Sequence, residues 1–336
     1  MENKRVRISD IAEELGLSTA TVSNVIHGKT KKISDETVRR VQQLLEERQY
    51  IPSMAGILLA QNNSRIIGVI INDHPKYEGH VLEDPFIASS LNGLSREIDR
   101  SGQFMMVKVT TELDSIIKFA SMWNMDGMVL IGFCEQDYKT LRAFMRVPFV
   151  VYEGYFCEAG GICNLTIDNR DGGFQVGQYF KRLGHKRALC VADNHICMDW
   201  ERYQGFLEGF GTDGADFMEV AFEEEKRRNF YEQNLEKIKT YSAVFAVSDR
   251  YAVELMRFLT ERGVRIPEEI SIVGFDDSPI CQQVTPALTS VRQEEKERAR
   301  LAVEKLKLLK ENRQEETEVK LGVSLVERDS SAPFGR

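Results

Sequence analysis

The sequence predicts a small all-α N-terminal domain followed by an α/β domain made of two doubly wound lobes. Apolar residues at helical spacing, punctuated by tight glycine turns, occupy residues 1–49. From Arg65 onward short β-branched runs alternate with helical stretches, and a glycine-bearing break near residues 154–164 divides that region in two. A length of 336 residues exceeds the usual single-domain size, in keeping with this division.

Bulk properties narrow the function classes. The chain is 42% apolar and 29% charged, as expected of an ordinary globular protein, so disorder is not its default state. Its net charge of -8 argues against a surface coated in nucleic acid throughout. Residues 1–60 hold nine Lys/Arg against eight Asp/Glu, leaving 35 against 44 of the chain's 44 and 52 for the remainder. That distribution is compatible with a near-neutral DNA-binding segment on an acidic body, and equally with chance. The six cysteines (Cys134, Cys157, Cys163, Cys190, Cys197, Cys281) form no C-x-x-C pair, and the five histidines form no metal-type cluster, so neither a metal site nor a cofactor is expected. The charged start from Met1 to Arg7 lacks a signal peptide's apolar core, and no apolar run approaches the roughly 18 residues of a membrane span. The expectation is a cytoplasmic protein with free thiols and no membrane attachment.

Ile8, Ile11, Ala12 and Leu15 fall on one face of a first helix, with Ser9 as its expected N-cap and Gly16 as its end. Ser18 can cap a second helix whose inward face is Val22, Val25 and Ile26, closed by His27-Gly28. Helices this short need a partner, which Val38, Val41 and Leu45 supply from a third helix starting at Ser34. Two short helices on a glycine turn, braced by a third, form a helix-turn-helix. Its second helix would then present Thr19, Ala20, Ser23, Asn24 and His27 to bases, with Lys29, Lys31, Lys32 and Arg39 beside it for phosphates. The same spacing also suits a three-helix cap with a solvated polar face.

The run from Ile8 through Leu15-Gly-Leu-Ser-Thr-Ala-Thr-Val-Ser-Asn-Val-Ile-His-Gly28 resembles the N-terminal signature of the lactose/galactose repressor family. The resemblance implies that Thr19, Ala20 and Asn24 read bases, and Asn24 stands where the family usually has Arg. It also implies that residues 50–64, Tyr50-Ile-Pro-Ser-Met-Ala-Gly-Ile-Leu-Leu-Ala60 and the polar tail after it, form a hinge helix that pushes Leu59 into the minor groove. Gly56 in place of the usual Ala costs about 1 kcal/mol of helix stability, so this hinge should depend on DNA for folding more than is typical. An interdomain linker with buried leucines is the alternative.

In the larger region, strands are expected at Ile66–Ile71, Met105–Val109, Gly127–Ile131, Phe149–Tyr152, Leu189–Ala192, Val244–Val247 and Ile270–Val273. One lobe would cover about 65–160 plus a return segment, the other about 165–290 plus a C-terminal segment, within a domain spanning 65–330. Ligands bind in such folds between the carboxyl ends of the strands. The family resemblance continues through Ile67-Gly-Val-Ile70, Val147-Pro-Phe-Val-Val-Tyr-Glu153, Leu183-Gly-His-Lys186, Arg202-Tyr-Gln-Gly-Phe206, Ile272-Val-Gly-Phe-Asp-Asp277 and Leu325-Val-Glu-Arg328. It implies a type I periplasmic-binding-protein-like domain with effector contacts at Glu153, Arg202, Ser248, Asp249 and Asp276, where Glu153 and Ser248 replace the family's Asp and Asn. Phe86 and Trp200 are candidate ring-facing aromatics, for which core packing is an equal account. Arg202 and Asp276 could instead form a surface ion pair.

Gly209-Phe-Gly-Thr-Asp-Gly214 matches G-x-G-x-x-G but follows a helix instead of a strand, which argues against dinucleotide binding. Lys226-Arg227-Arg228 reads as a solvated helix face, and Glu294 to Lys310 as a crossover helix packing on a sheet. The function expected is a homodimeric repressor that binds a pseudo-palindromic operator and is controlled by a small molecule, most simply a carbohydrate, with no catalytic residues. The resemblance also admits a phosphoprotein corepressor. Rival readings are a sugar-binding protein without a regulatory role and an enzyme on a doubly wound fold.

Overall fold

A computed structural model describes residues 6–50, 64–156, 161–312 and 318–335, and the chain divides into two compact units, Met1–Ser64 and Arg65–Arg336. In the first unit, α1 (Ile8–Leu15), α2 (Thr19–Ile26) and α3 (Asp35–Glu47) pack around Ile11, Ala12, Val22, Val25, Val41 and Leu44. Ser9 does not cap α1. The chain enters the helix at Arg7, whose backbone N–H donates to the Asp10 carboxylate at 2.8 Å, leaving Ser9 within the first turn. Gly16, at φ 65°, supplies the left-handed turn that ends α1, and Ser18 caps α2 by accepting from the Thr21 N–H at 3.1 Å. Ser34 caps α3 in the same way, through Thr37 at 3.2 Å. An Arg48–Glu14 ion pair at 2.9 Å ties the end of α3 to α1. The segment expected to form the hinge helix, with Leu59, lies outside the described residues.

The second unit contains two six-stranded sheets. The first has the order β11-β5-β4-β3-β1-β2, all parallel, with β1 (Ile66–Ile71), β2 (Phe104–Val109), β3 (Gly127–Ile131), β4 (Phe149–Tyr152), β5 (Cys163–Ile167) and β11 (Glu318–Leu321). The second has the order β12-β10-β9-β8-β6-β7, built from β6 (Ala188–Ala192), β7 (Ala215–Glu219), β8 (Ala243–Ala246), β9 (Ser271–Asp276), β10 (Thr289–Gln293) and β12 (Val323–Val326). Only β10 and β12 run antiparallel there. Central strands such as β1, β3 and β6 are buried along their whole length because helices cover both faces.

Two features differ from expectation. Residues 163–167 pair with β4, so the lobe boundary falls at Asp168, one strand later than the glycine-bearing break. The chain then crosses between lobes three times: at Asp168, at Glu294 on entering α11 (Glu295–Lys310), and at Gly322 between β11 and β12. The second difference concerns Arg227 in α9 (Glu224–Ile238). It is 1% exposed and not part of a solvated face, because its guanidinium donates to the carbonyls of Ala221 and Phe222 and to Glu254 at 2.6 Å. Lys226 and its neighbours on that side remain exposed.

The remaining helices, α4 (Pro85–Arg100), α5 (Leu113–Met122), α6 (Glu135–Phe144), α7 (Asn169–Arg182), α8 (Cys197–Phe210) and α10 (Asp249–Thr260), fill the strand connections. Among these, α7 and α8 meet backbone to backbone. A Cβ on Gly173 would stand 1.9 Å from the Arg202 carbonyl oxygen, and one on Gly205 1.8 Å from the Arg170 carbonyl oxygen. Gly177 and Gly209 continue the seam one turn on, with Phe206 and Phe174 carbonyls 2.5 and 2.3 Å from their added Cβ positions. In the glycine run at 209–214, Gly209 and Gly214 are accounted for by packing and Gly211 by its φ of 109°: α8 ends at Phe210, and a strand, not an α-helix, opens after Gly214. Alanine ordinarily favours a helix over glycine by about 1 kcal/mol. At Gly205 the sign should reverse, and Gly205→Ala is expected to destabilise the domain by about 3 kcal/mol, read as a lower midpoint in urea unfolding.

Candidate functional site

In the helical unit, Thr19, Ala20 and Asn24 are exposed and Ser23 and His27 half-exposed, on the side of α2 opposite the buried Val22 and Val25. Lys29, Lys31, Lys32 and Arg39 are exposed close by in the chain. The resulting surface offers hydroxyl, amide and imidazole groups on a helix face, flanked by cations. Small and amide side chains can enter a major groove and meet base edges, while lysines hold phosphates.

In the α/β unit a cleft with a cavity of about 150 Å³ lies between the lobes at the carboxyl ends of both sheets. The glycine seam fixes its central group. Arg202, on α8, is buried with its guanidinium 3.8 Å from the Phe275 ring centroid, donating to Asn169 Oδ1 at 2.8 Å and to the Val247 carbonyl at 2.6 Å. Asn169 in turn lies 3.5 Å from Glu153 Oε2, and the other Glu153 oxygen is paired with the buried Arg298. Arg298 sits between the rings of Phe86 and Tyr152, 5.1 and 4.9 Å from their centroids. Burial pushes the Glu153 carboxyl upward, against the pull of Arg298 and Arg202.

Asp276 ends β9 with φ 118°, a backbone conformation that L-residues rarely occupy, and accepts from Gln293 Nε2 at 2.6 Å. Its carboxyl is raised well above the ordinary range by burial, countered by Arg202 and reinforced by Asp249 and Asp84. Ser248 lines the cleft while capping α10 through the Tyr251 N–H at 3.3 Å. Phe86, Glu153, Arg202, Ser248 and Asp276 are thus brought together on one cavity.

Two expected residues are not. Asp249 is fully buried behind the cleft wall, where Ser278 N–H and Oγ, Cys281 and Ser290 all donate to it, so its oxygens are consumed in holding the loop after β9. Trp200 is 39% exposed and packs on Tyr203 and Phe217, on the side of α8 away from the cleft.

Sequence reasoning missed Lys76, Asp84, Tyr152, Asp193, Asp199 and Tyr251, all lining the cavity. Asp84 carried a readable signal, an N-cap before Pro85, and it accepts from the Phe86 and Ile87 N–H groups at 3.1 and 3.2 Å. Asp193 was legible as a carboxylate just past the end of β6. Tyr152 ends the expected strand β4, whereas Lys76, in the connection after β1, and Asp199 and Tyr251, in the first turns of α8 and α10, have no local pattern that announces their placement. Asp193 accepts from the Tyr251 hydroxyl at 2.7 Å; despite burial, Lys76 and these hydrogen bonds hold it below the usual carboxylate range. Its neighbour Asp199 is pushed up to about 6 by burial, with Arg202 opposing and Asp193 adding to the rise. Among the described residues no three His, Cys, Asp or Glu side chains are placed to hold a metal ion, and no helix is long and apolar enough to cross a membrane.

Because the Asp199 carboxyl is raised on folding, the native chain keeps a proton that the unfolded chain loses at lower pH. Its contribution to stability is full below the ordinary carboxyl range and disappears as pH rises through about 6. Asp199→Asn, neutral throughout, should therefore melt higher than the wild type at pH 8 and lose that advantage by pH 4, measured as melting temperature against pH.

Comparisons with known proteins agree with this two-part construction. Residues 7–53 match the model for bacterial regulatory proteins of the lacI family, and residues 178–331 match the periplasmic binding protein-like domain. The HTH-type transcriptional regulator MalR of Clostridium butyricum is 26% identical over 97% of this chain and 99% of its own. A crystal structure of the Lac repressor dimer bound to operator and the anti-inducer ONPF superposes with a TM-score of 0.83 at 22% identity, covering 98% of this chain and all of that one. The transcriptional regulator CelR in complex with cellobiose gives a TM-score of 0.70 at 22% identity, over 97% and 100% of the two chains. With a capped helix-turn-helix ahead of a two-lobed cleft domain, each matched by its own model, the chain belongs to the lacI family of bacterial regulatory proteins.

Proposed function

We propose that this regulator is a repressor whose hold on operator DNA is set by a carbohydrate bound in the interlobe cleft. The observation that carries the reading is the composition of the cleft: buried carboxylates, a guanidinium locked in place and an aromatic face, all converging on one cavity. Carboxylates that burial deprives of water favour a ligand rich in hydroxyl donors, and a ring seats on the Phe86 side. The complex of CelR with cellobiose supports this choice of ligand class. Glu153, Arg202, Ser248 and Asp276 supply the polar contacts, Asp249 acting only as a brace behind them. The chemistry required is binding and release, with no bond made or broken.

At the DNA end, Asn24 pairs bidentately with adenine, Thr19 and Ala20 meet thymine methyl groups, Ser23 and His27 complete the base-facing side, and Lys29 holds phosphate. Leu59 wedges into the minor groove at the operator centre. Two copies of one chain each place an α2 in a half-site, which makes the operator pseudo-palindromic and the protein a homodimer acting in the cytoplasm. The open edge of the first sheet, β2, carries exposed Phe104 and Val107 and suits such a pairing.

Selection from randomised duplexes should enrich a two-fold related sequence; enrichment of nothing beyond bulk DNA would sink the DNA assignment. Asn24→Ala is expected to weaken binding to the selected site by roughly 10- to 100-fold and to relax preference at one base per half-site. Lys29→Ala should weaken all duplexes alike and lower the salt slope by about one. For the cleft, cellobiose and other sugars are screened by thermal shift against the full chain. A sugar that stabilises the wild type should lose most of that effect with Arg202→Ala, the guanidinium's hydrogen bonds being worth about 1.5–3 kcal/mol; an undiminished shift would remove Arg202 from the site.

A further inference from the structure

The connection between β1 and α4 spans the two lobes. It is rooted in the first lobe by Tyr77 and Val81, which are buried in that lobe's core with Ile71 and Ile87. Its alternate residues face the other way. Glu78 Oε2 accepts from the Glu224 N–H at 3.1 Å, at the start of α9 in the second lobe. The Lys76 carbonyl accepts from Arg250 Nη1 at 3.4 Å, and the His74 ring meets the Phe222 ring edge-on with centroids 6.3 Å apart.

The geometry points to residues 74–78 as a strap that latches the two lobes across the cleft, so that ligand entry requires its release. Three independent contacts of different chemistry cross the gap within five residues, and their second-lobe partners are themselves held rigid. Glu254 binds both Arg250, at 3.1 Å, and the buried Arg227, whose guanidinium lies over the Tyr251 ring. The Glu78 carboxylate also meets one of the N–H groups that a helix start leaves without an intrahelical partner, where negative charge is favoured. The strap carries Lys76 into the cleft between the lobes. Burial works against its charge, but the Tyr77 phenol and the carboxylates of Asp193 and Asp199 from the second lobe, with Asp84 from the first, hold its pKa above the ordinary range. Its ammonium therefore adds an attraction across the cleft that persists at neutral pH.

Latched and released states then form a two-state element, and any ligand that needs the cleft open is bound more weakly by the fraction of molecules in which the strap is shut. This goes beyond the proposed identity of effector and operator and needs neither for its test. Amide hydrogen exchange is followed by mass spectrometry on the full-length protein, comparing wild type with Glu78→Ala and Lys76→Met. Exchange is expected to quicken about tenfold in segments 221–227 and 193–202 of the second lobe, which the substituted residues touch only across the gap, with segment 243–246 in the core of that lobe unchanged. Arg250→Met, removing a contact from the opposite side, should in turn quicken segment 74–80. The latch is overturned if these distant segments exchange at the wild-type rate, or if the effect of Glu78→Ala and Lys76→Met stays within residues 74–84.

Discussion

The approach of α7 to α8 is the constraint on which the ligand-binding half depends. Glycine at 173, 177, 205 and 209 removes every Cβ that would separate the two helices, so each backbone rests against the other's carbonyls. That closeness delivers Arg202 from α8 to Asn169 at the start of α7, and through Asn169 to Glu153 at the end of β4. A guanidinium on a longer leash would lose rotamer freedom with every ligand it bound. Here that freedom has already been given up in folding.

The cleft walls hold an excess of carboxylates over cations, and each carboxylate is only partly satisfied from within. Glu153 leans on Arg298, Asp276 on Gln293, Asp193 on Tyr251 and Asp199 on Asn194. Charges held out of water with some acceptor capacity unspent give a hydroxyl-bearing ligand its advantage over an apolar one of the same shape. The same arrangement makes the site responsive to protonation. It also sets the lobes against one another, because the groups come from both.

Much of this was legible in the residues. Ser18, Ser34 and Gly16 announce the helical unit through capping chemistry, which is local and survives any tertiary context. The central strands were readable because burial on both faces leaves unbroken β-branched runs, as in Ile66–Ile71. Strands broken by polar residues were not: β7 and β11, at sheet edges, carry charges, and β5, inside the first sheet, reads Cys-Asn-Leu-Thr-Ile. Family resemblance brought Glu153, Arg202, Ser248 and Asp276 to the cleft. It could not show that Asp249 would be drawn back by Ser278, Cys281 and Ser290, which lie about thirty to forty residues on, or that Trp200 would turn to Tyr203 and Phe217 outside the cleft. Arg227 shows the same limit, a basic triplet whose middle member is claimed by carbonyls and Glu254.

The three passages of the chain between lobes bear on how the molecule comes into being. Neither lobe is one continuous stretch: the first sheet waits for β11 and the second for β12, which follow every other strand of the two sheets in the chain. A ribosome therefore makes ten strands before either sheet can acquire its final one, whereas the three N-terminal helices need only neighbours already made. The nascent protein has a complete DNA-facing head long before it has a body able to respond to a ligand.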